Sequence, residues 1–442
     1  MDLKVSRYTH ICEYEDGLCI GYNALTGKFL RLNGVNKTHI RTALLSKQVP
    51  QRASTFEIEQ LKSLGFLLDF DIDERVVVRE VRRIGVADKG DVLLTILPTL
   101  RCNFACKYCF QRHSAKTMSI EVEEALLRFL ESYVLPGTKS LAIQWYGGEP
   151  LLALPTLERL SHRISATTES HGCRLAPACI VTNGSLLSAK NVSRLLKAGV
   201  RSAQVTLDGP EAVHNNRRPL ANGQGSFNTI IKNIKAAAST LRIAIRINVD
   251  RENRLEIFTL LEQIRDLGVL DRAAAYVAPV ECYISDYTAL KNTRMTPEEF
   301  AKFFRSLAQQ CLDSAIPLSS NVNSVSPSML EYCIAESRSG FVVKPDGELV
   351  DCWAKTDCRL EPLANLLKPD TLSHLSTLAR VESKVLSDEL CCDCNLLPIC
   401  IGGCPVLHDS TQNPYTKRCP PIRYNLHREI RAQYESSRET VK

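Results

Sequence analysis

The 442-residue sequence predicts an α/β protein: a partial (β/α)6 TIM-like barrel, preceded by a small winged-helix-like module and followed by a cysteine-rich segment. Three observations predict this. Short apolar runs alternate with longer helical stretches from about 90 to 281, the pattern of parallel βαβ units. The first 75 residues follow a different rhythm, a hairpin and then two short helical patterns. The 18 cysteines are uneven, with a tight group at 102–109 and nine from Cys333 to Cys419. The predicted boundaries are 1–85 for the first unit, 86–315 for the barrel and 316–442 for the cysteine-rich unit with its linker and C-terminal tail.

In the first unit, Ile11–Glu15 and Leu18–Tyr22 read as strands joined by Asp16-Gly17, a favoured hairpin pair. Phe29–Leu32 makes a third strand, and helical patterns follow at 37–46 and 55–64. The charged stretch 71–90 reads as a solvated connector. In the barrel, strands are expected at 91–97, 140–145, 178–182, 203–207, 242–249 and 274–279, with helices near 119–134, 155–168, 188–198, 226–239 and 255–267. A full eight-unit barrel needs about 250 residues, so six units imply a partial one. Functional loops then belong beyond the C-terminal strand ends. A helix near 296–313 leads into a Ser/Asn-rich linker at 319–324. The segment from 331 to about 421 has little periodicity, which assigns its organisation to metal.

Composition narrows the function classes. Hydrophobic content of 44% and charged content of 24% are those of an ordinary soluble protein. No apolar run is long enough to span a bilayer, so no membrane partner is expected. A net charge of +6 without a dense Lys/Arg block gives no nucleic-acid footprint. The start, Met1–Lys4, lacks a secretory apolar region, which places the chain in the reducing cytoplasm. Clustered cysteines there bind metal more readily than they form disulfides.

The chemistry centres on Cys102, Cys106 and Cys109, in Cys-x-x-x-Cys-x-x-Cys directly after the first barrel strand. Three thiolates in one loop can hold three corners of a [4Fe–4S] cubane, leaving one iron for another ligand. A zinc site completed by a distant ligand is the alternative. Gly147-Gly148-Glu149-Pro150 follows the second strand, where glycines permit close backbone approach and Glu149 can balance an ammonium group. Thr182-Asn183-Gly184 closes the third strand and is equally an ordinary turn. Thr206 to Pro210 ends the fourth, with His214, Arg217 and Arg218 beyond it.

Together these segments resemble the radical S-adenosylmethionine superfamily. The resemblance implies that Cys102, Cys106 and Cys109 ligate the cluster and that the open iron takes the amino and carboxylate groups of S-adenosylmethionine. Reductive cleavage then yields a 5′-deoxyadenosyl radical that abstracts a substrate hydrogen. It further implies that Tyr108, Gly147, Gly148 and Glu149 contact S-adenosylmethionine, that Thr206 meets its ribose and that Arg218 meets its carboxylate. Arg217 is the rival for that last role.

Cys333, Cys352 and the run Cys391-x2-Cys394-x5-Cys400-x3-Cys404, closed by Cys419, resemble the SPASM auxiliary-cluster domain. The resemblance puts Cys391, Cys394, Cys400 and Cys419 on one auxiliary cubane and Cys333, Cys352 and Cys404 on the other. Cys358, Cys392 or substrate would complete the second. Cys12, Cys19, Cys173, Cys179, Cys282 and Cys311 read as small buried hydrophobes.

The implied activity is maturation of a ribosomally made precursor peptide, by thioether or carbon–carbon crosslinking or a related change. The first unit resembles the leader-recognition element of such maturases, where a peptide adds as an edge strand. A flavodoxin or ferredoxin is the expected electron donor. The alternative is an anaerobic sulfatase-maturing enzyme forming formylglycine, but here Trp353 follows Cys352 and Asp351 precedes it. A non-enzymatic iron–sulfur or zinc scaffold is a third reading, which has no need of the Gly-Gly-Glu-Pro segment.

Overall fold

The computed structural model describes residues 2–87, 90–281, 292–319, 325–327, 333–337, 339–356, 361–376, 388–408 and 419–439. The first unit contains β1 (Leu3–Val5), β2 (Thr9–Glu13), β3 (Cys19–Asn23), β4 (Lys28–Arg31) and β5 (Leu67–Asp69). Strands β2, β3 and β4 form an antiparallel sheet, and β1 pairs with β5. The hairpin lies two residues or fewer from its expected position, with Gly17 at φ +79° in the turn. Helices α1 (Thr38–Leu45) and α2 (Thr55–Ser63) follow, α2 opened by a Ser54/Glu57 capping box.

The connector expected at 71–90 is instead a helix, α3 (Glu74–Ala87). Its charges obscured a buried stripe: Glu74, Val78 and Arg82, spaced four apart, are all buried. Glu74 accepts from Ser6 Oγ at 2.5 Å and Arg7 N at 2.8 Å, while Arg82 ion-pairs with Glu336. The residues read as an unstructured link therefore tie the first unit to the cysteine-rich segment.

The central sheet holds β6 (Asp91–Ile96), β7 (Ser140–Trp145), β9 (Ala178–Thr182), β10 (Val200–Leu207), β11 (Arg242–Val249) and β12 (Ala273–Pro279). All pair in parallel in sequence order, and the short β8 (Arg174–Leu175) adds to β7. Sequential order is that of a barrel wound one way, as expected, and not of a sheet that reverses at its centre. Helices α4 (Ile120–Phe129), α5 (Leu154–Ser170), α6 (Ala189–Lys197), α7 (Glu211–Arg217), α8 (Phe227–Ala237), α9 (Ile257–Asp266) and α10 (Pro297–Asp313) accompany these strands.

Period-two alternation sorts the strand side chains. On β11, Ile243, Ile245, Ile247 and Val249 are buried in the main hydrophobic core, which also contains Leu260 and Ile264 of α9. Their neighbours Arg246 and Asn248 line the interior cavity, as do Gln204 and Thr206 of β10.

The cysteine-rich segment has more regular structure than its sequence suggests. β13 (Gly340–Val343) is buried at all four positions and pairs in parallel with β6, extending the parallel sheet beyond that strand. β14 (Glu348–Val350) and β15 (Ala364–Asn365) continue antiparallel from it. A C-terminal helix, α11 (Ile422–Glu439), replaces the expected tail. It contributes Ile422, Leu426, Ile430 and Tyr434 to a core shared with Tyr8, Ile20 and Tyr22 of the first unit. Of the linker expected at 319–324, all but Ser319 lies outside the described residues. No helix is long and apolar enough to cross a membrane among the described residues.

Candidate functional site

The loop after β6 carries the cysteine triplet and is fixed from two sides. On one, Ala105 N donates to Pro219 O at 2.9 Å and Lys107 N to Arg217 O at 3.1 Å. On the other, Gly148 N donates to Thr99 O at 3.2 Å and Glu149 N to Arg101 O at 2.8 Å. The glycines are required by this second contact. A Cβ on Gly148 would fall 2.2 Å from Arg101 O, and one on Gly147 2.5 Å from Thr99 O. Gly147 also sits at φ +123°, where side chains are strained. The close approach anticipated for the pair is thus, at least, an approach to the cysteine loop.

The Glu149 carboxylate is fully buried and accepts from Thr182 Oγ1 at 2.8 Å, Asn183 N at 2.8 Å and Leu151 N at 3.0 Å. Burial raises its carboxyl to about 6 against these stabilising bonds. Thr182 and Asn183, read equally as a plain turn, hold this carboxylate under the cysteine loop. Asn183 Nδ2 also donates to Asn103 Oδ1 at 2.9 Å.

These segments surround a cavity of about 350 Å3. Its wall includes Cys102, Cys106, Cys109, Tyr108, Gly147, Gly148, Thr206 and Arg218. All eight are among the ligand and cofactor residues expected from the sequence, and of the two adjacent arginines Arg218 stands in this wall while Arg217 does not. Arg217 is engaged elsewhere: it donates to Asp250 at 3.0 and 2.8 Å and pairs with Asp208 at 3.4 Å. Arg218 NH1 donates to Tyr108 OH at 2.5 Å, and Asn248 Nδ2 donates to the same oxygen at 3.1 Å. Arg218 Nε is buried with no hydrogen-bond partner among the described residues. A buried guanidinium with a spare donor suits a bound carboxylate. Glu149 alone of the expected contacts is absent from the wall.

Sequence reasoning missed Gln144, Tyr146, Arg246, Asn248, Glu281 and Trp353, which also line the cavity. The strand alternation marks the first four as inward-facing polar positions. Trp353 is contributed by the cysteine-rich segment, so two of the three units share one wall.

The thiols fit a metal cluster chemically. Burial pushes Cys102 up to about 12 and Cys109 to about 11, which keeps them protonated unless a cation holds the thiolates. A second set, Cys391, Cys394, Cys400 and Cys419, lines a separate cavity of about 270 Å3. A third set brings Cys333 and Cys352 together with Ala335, Ala354 and Val406, and both thiols sense Cys404. The two groups match the sets implied by the resemblance. Cys392 lies within electrostatic reach of Tyr8 and Arg75, and Cys358 lies outside the described residues. Among the described residues no three His, Cys, Asp or Glu close around a single-ion position. Cys12, Cys19, Cys173 and Cys311 are buried, as expected for apolar packing, and Cys179 is half-buried; Cys282 lies outside the described residues.

Comparison with known proteins gives three findings. The Radical SAM superfamily model matches residues 96–264. The serine-type anaerobic sulfatase-maturating enzyme of Klebsiella aerogenes is 22% identical over 69% of this chain and 77% of its own. Among solved structures, native anSMEcpe with bound AdoMet and Cp18Cys peptide matches at TM-score 0.60 and 19% identity, covering 78% of this chain and 99% of that one. Streptococcus suis SuiB bound to precursor peptide SuiA matches at TM-score 0.54 and 16% identity, covering 95% of this chain and 100% of that one.

Proposed function

Because the 96–264 domain makes this chain a radical SAM superfamily enzyme, we propose that it modifies a ribosomally made precursor peptide. The family uses a [4Fe–4S] cluster and S-adenosylmethionine, which supply one-electron cleavage of a sulfonium bond and, from it, hydrogen abstraction. Cys102, Cys106 and Cys109 hold that cluster. Tyr108, Gly147, Gly148, Thr206 and Arg218 form the S-adenosylmethionine subsite, with Glu149 bracing it from below. Cys391, Cys394, Cys400 and Cys419 hold one auxiliary cluster, and Cys333, Cys352 and Cys404 contribute to the other. Residues 1–85, 86–315 and 316–442 are the leader-recognition, barrel and SPASM units.

The observation carrying the peptide reading is the edge of β4 in the sheet β2–β3–β4, which no strand pairs among the described residues. Supporting it, the likeness to the SuiB chain bound to its precursor extends over 95% of this chain. Leu32 N donates to Cys19 O, so in an antiparallel pair the Arg31 N–H points away from β3. Arg31→Pro removes this outward donor while leaving the β3 pairing in place. Affinity for the precursor should fall by about tenfold, with S-adenosylmethionine cleavage spared; unchanged affinity would refute edge-strand recognition.

The sulfatase-maturing reading is favoured by the Klebsiella relative. Against it, Asp351 precedes Cys352 and its carboxylate pairs with Lys355 at 3.0 Å. A peptide carrying the target Ser or Cys of a sulfatase, assayed for formylglycine by mass, separates the two.

A further inference from the structure

We propose that the basic groove where the first unit, α10 and α11 meet is the docking surface for an acidic one-electron donor protein. The groove has a volume of about 430 Å3. Its wall carries Arg305, Arg423 and Arg428 with His10 and His427, and among the described residues it has no Asp or Glu. Arg305, Arg423 and His427 are exposed. Of the nearby acids, Asp393 is already paired, with Arg7 at 3.0 Å and Arg75 at 3.5 Å, and the buried Glu429 pairs with Arg428 at 3.6 Å, leaving Arg305 and Arg423 as the groove's main positive charges. A concave surface of one sign concentrates field and speeds encounter with a partner of the opposite sign.

What selects an electron donor over another acidic partner is the floor of this groove. Leu396, Arg423 and Tyr424 line both the groove and the cavity of Cys391, Cys394, Cys400 and Cys419. The Arg423 guanidinium donates to Cys394 Sγ at 3.6 Å. A protein seated in the groove is therefore separated from the cysteine cavity by one layer of side chains. Electron transfer weakens steeply with distance, so a carrier must approach a redox centre this closely, whereas a peptide awaiting modification has no reason to. The inference rests on the reading of these four cysteines as cluster ligands in a radical SAM enzyme. The donor is oxidised by one electron at its flavin or iron–sulfur centre. That electron is consumed in breaking the sulfonium carbon–sulfur bond of S-adenosylmethionine, which gives methionine and a 5′-deoxyadenosyl radical.

The test uses full-length protein reconstituted with iron and sulfide, and reduced flavodoxin as the donor probe. Arg305→Glu with His427→Glu should raise the KM for flavodoxin about tenfold at low salt, with the difference shrinking as ionic strength rises. Cleavage driven by dithionite, a small reductant that needs no docking surface, should be unchanged in the same variant. Arg305→Lys should restore most of the flavodoxin KM. An unchanged KM, or loss of precursor affinity in place of donor affinity, overturns the proposal. Equal loss of dithionite-driven cleavage also overturns it, since the substitutions would then act on the fold. Wild-type protein that holds no cluster and cleaves nothing with dithionite refutes instead the radical SAM reading of this chain's sites, and the donor surface with it.

Discussion

Arg82 of α3 ion-pairs with Glu336, three residues after Cys333, with both side chains almost completely buried. One end of the bond belongs to the first unit and the other to the loop that carries Cys333. Truncating one partner of such a pair leaves an uncompensated buried charge, worth about 3–5 kcal/mol. Glu336→Ala should lower the unfolding free energy, read from urea curves, by an amount of that order. The double variant Arg82→Met with Glu336→Leu should recover much of the loss, because an apolar pair of similar volume avoids the desolvation penalty. A single variant as stable as wild type would contradict the burial of the pair.

Gly148 supports the cysteine loop only while it lacks a side chain. Gly148→Ala should displace the Arg101 backbone and lower iron retained per protein after anaerobic reconstitution. Gly137→Ala is the control: Gly137 sits at positive φ, +81°, but its Cβ would meet nothing within 4 Å, whereas Gly148 is not at positive φ and is constrained by its neighbours alone. It should cost about 1 kcal/mol in stability and leave iron content intact.

Arg218 predicts a binding effect. Replacing its planar fork by a lysine keeps the charge but loses the geometry that matches a carboxylate. Arg218→Lys should weaken S-adenosylmethionine binding by about tenfold, measured by equilibrium titration of the reconstituted protein. Wild-type affinity in the variant would remove Arg218 from the ligand subsite.

His214 makes part of the fold acid-sensitive. It is fully buried, with Nδ1 accepting from Asp208 N at 3.4 Å and Nε2 3.1 Å from Ser226 Oγ, whose hydroxyl meets Arg218 O at 3.2 Å. Burial first, then Arg218 and Arg217, push it from 6.5 down to about 3. Between those values the unfolded chain binds a proton that the folded one refuses, so stability falls as pH drops below about 6.5. From pH 7 to pH 5 wild type should lose about 2 kcal/mol more than His214→Gln, read from urea curves at both pH values. Parallel pH profiles would mean the imidazole is solvated.

Much of this site was legible because its chemistry depends on spacing. The triplet at 102–109 and the run 391–404 announce themselves in one dimension, since a loop that wraps a cluster needs its thiols close in sequence. The strand pattern of 91–279 was equally plain, with Ile243 to Val249 alternating at period two. What sequence concealed lay in the partners of charged residues. Arg217 and Arg218 are adjacent and chemically identical, and only the folded positions of Asp250 and Tyr108 separate them. α3 was hidden because a helix that buries Arg82 against a carboxylate 254 residues away looks, locally, like a solvated run of charge. β13 was hidden for a related reason: four residues give no periodicity, and their strand partner β6 lies more than two hundred positions earlier.

The pairing of β13 with β6 bears on how such a protein could be rebuilt. The strand leading to Cys102 and the strand lying between Cys333 and Cys352 are neighbours in one sheet, a fixed step of about 4.8 Å apart. The two cysteine loops are therefore gauged by the same ladder of backbone hydrogen bonds, and neither can drift without shearing it. A chimaera cut at the apparent boundary near residue 316 would take a strand from the barrel along with the tail. Grafting a foreign cysteine-rich segment onto this barrel would succeed only when the incoming piece brings a strand of its own in the register of Gly340 to Val343.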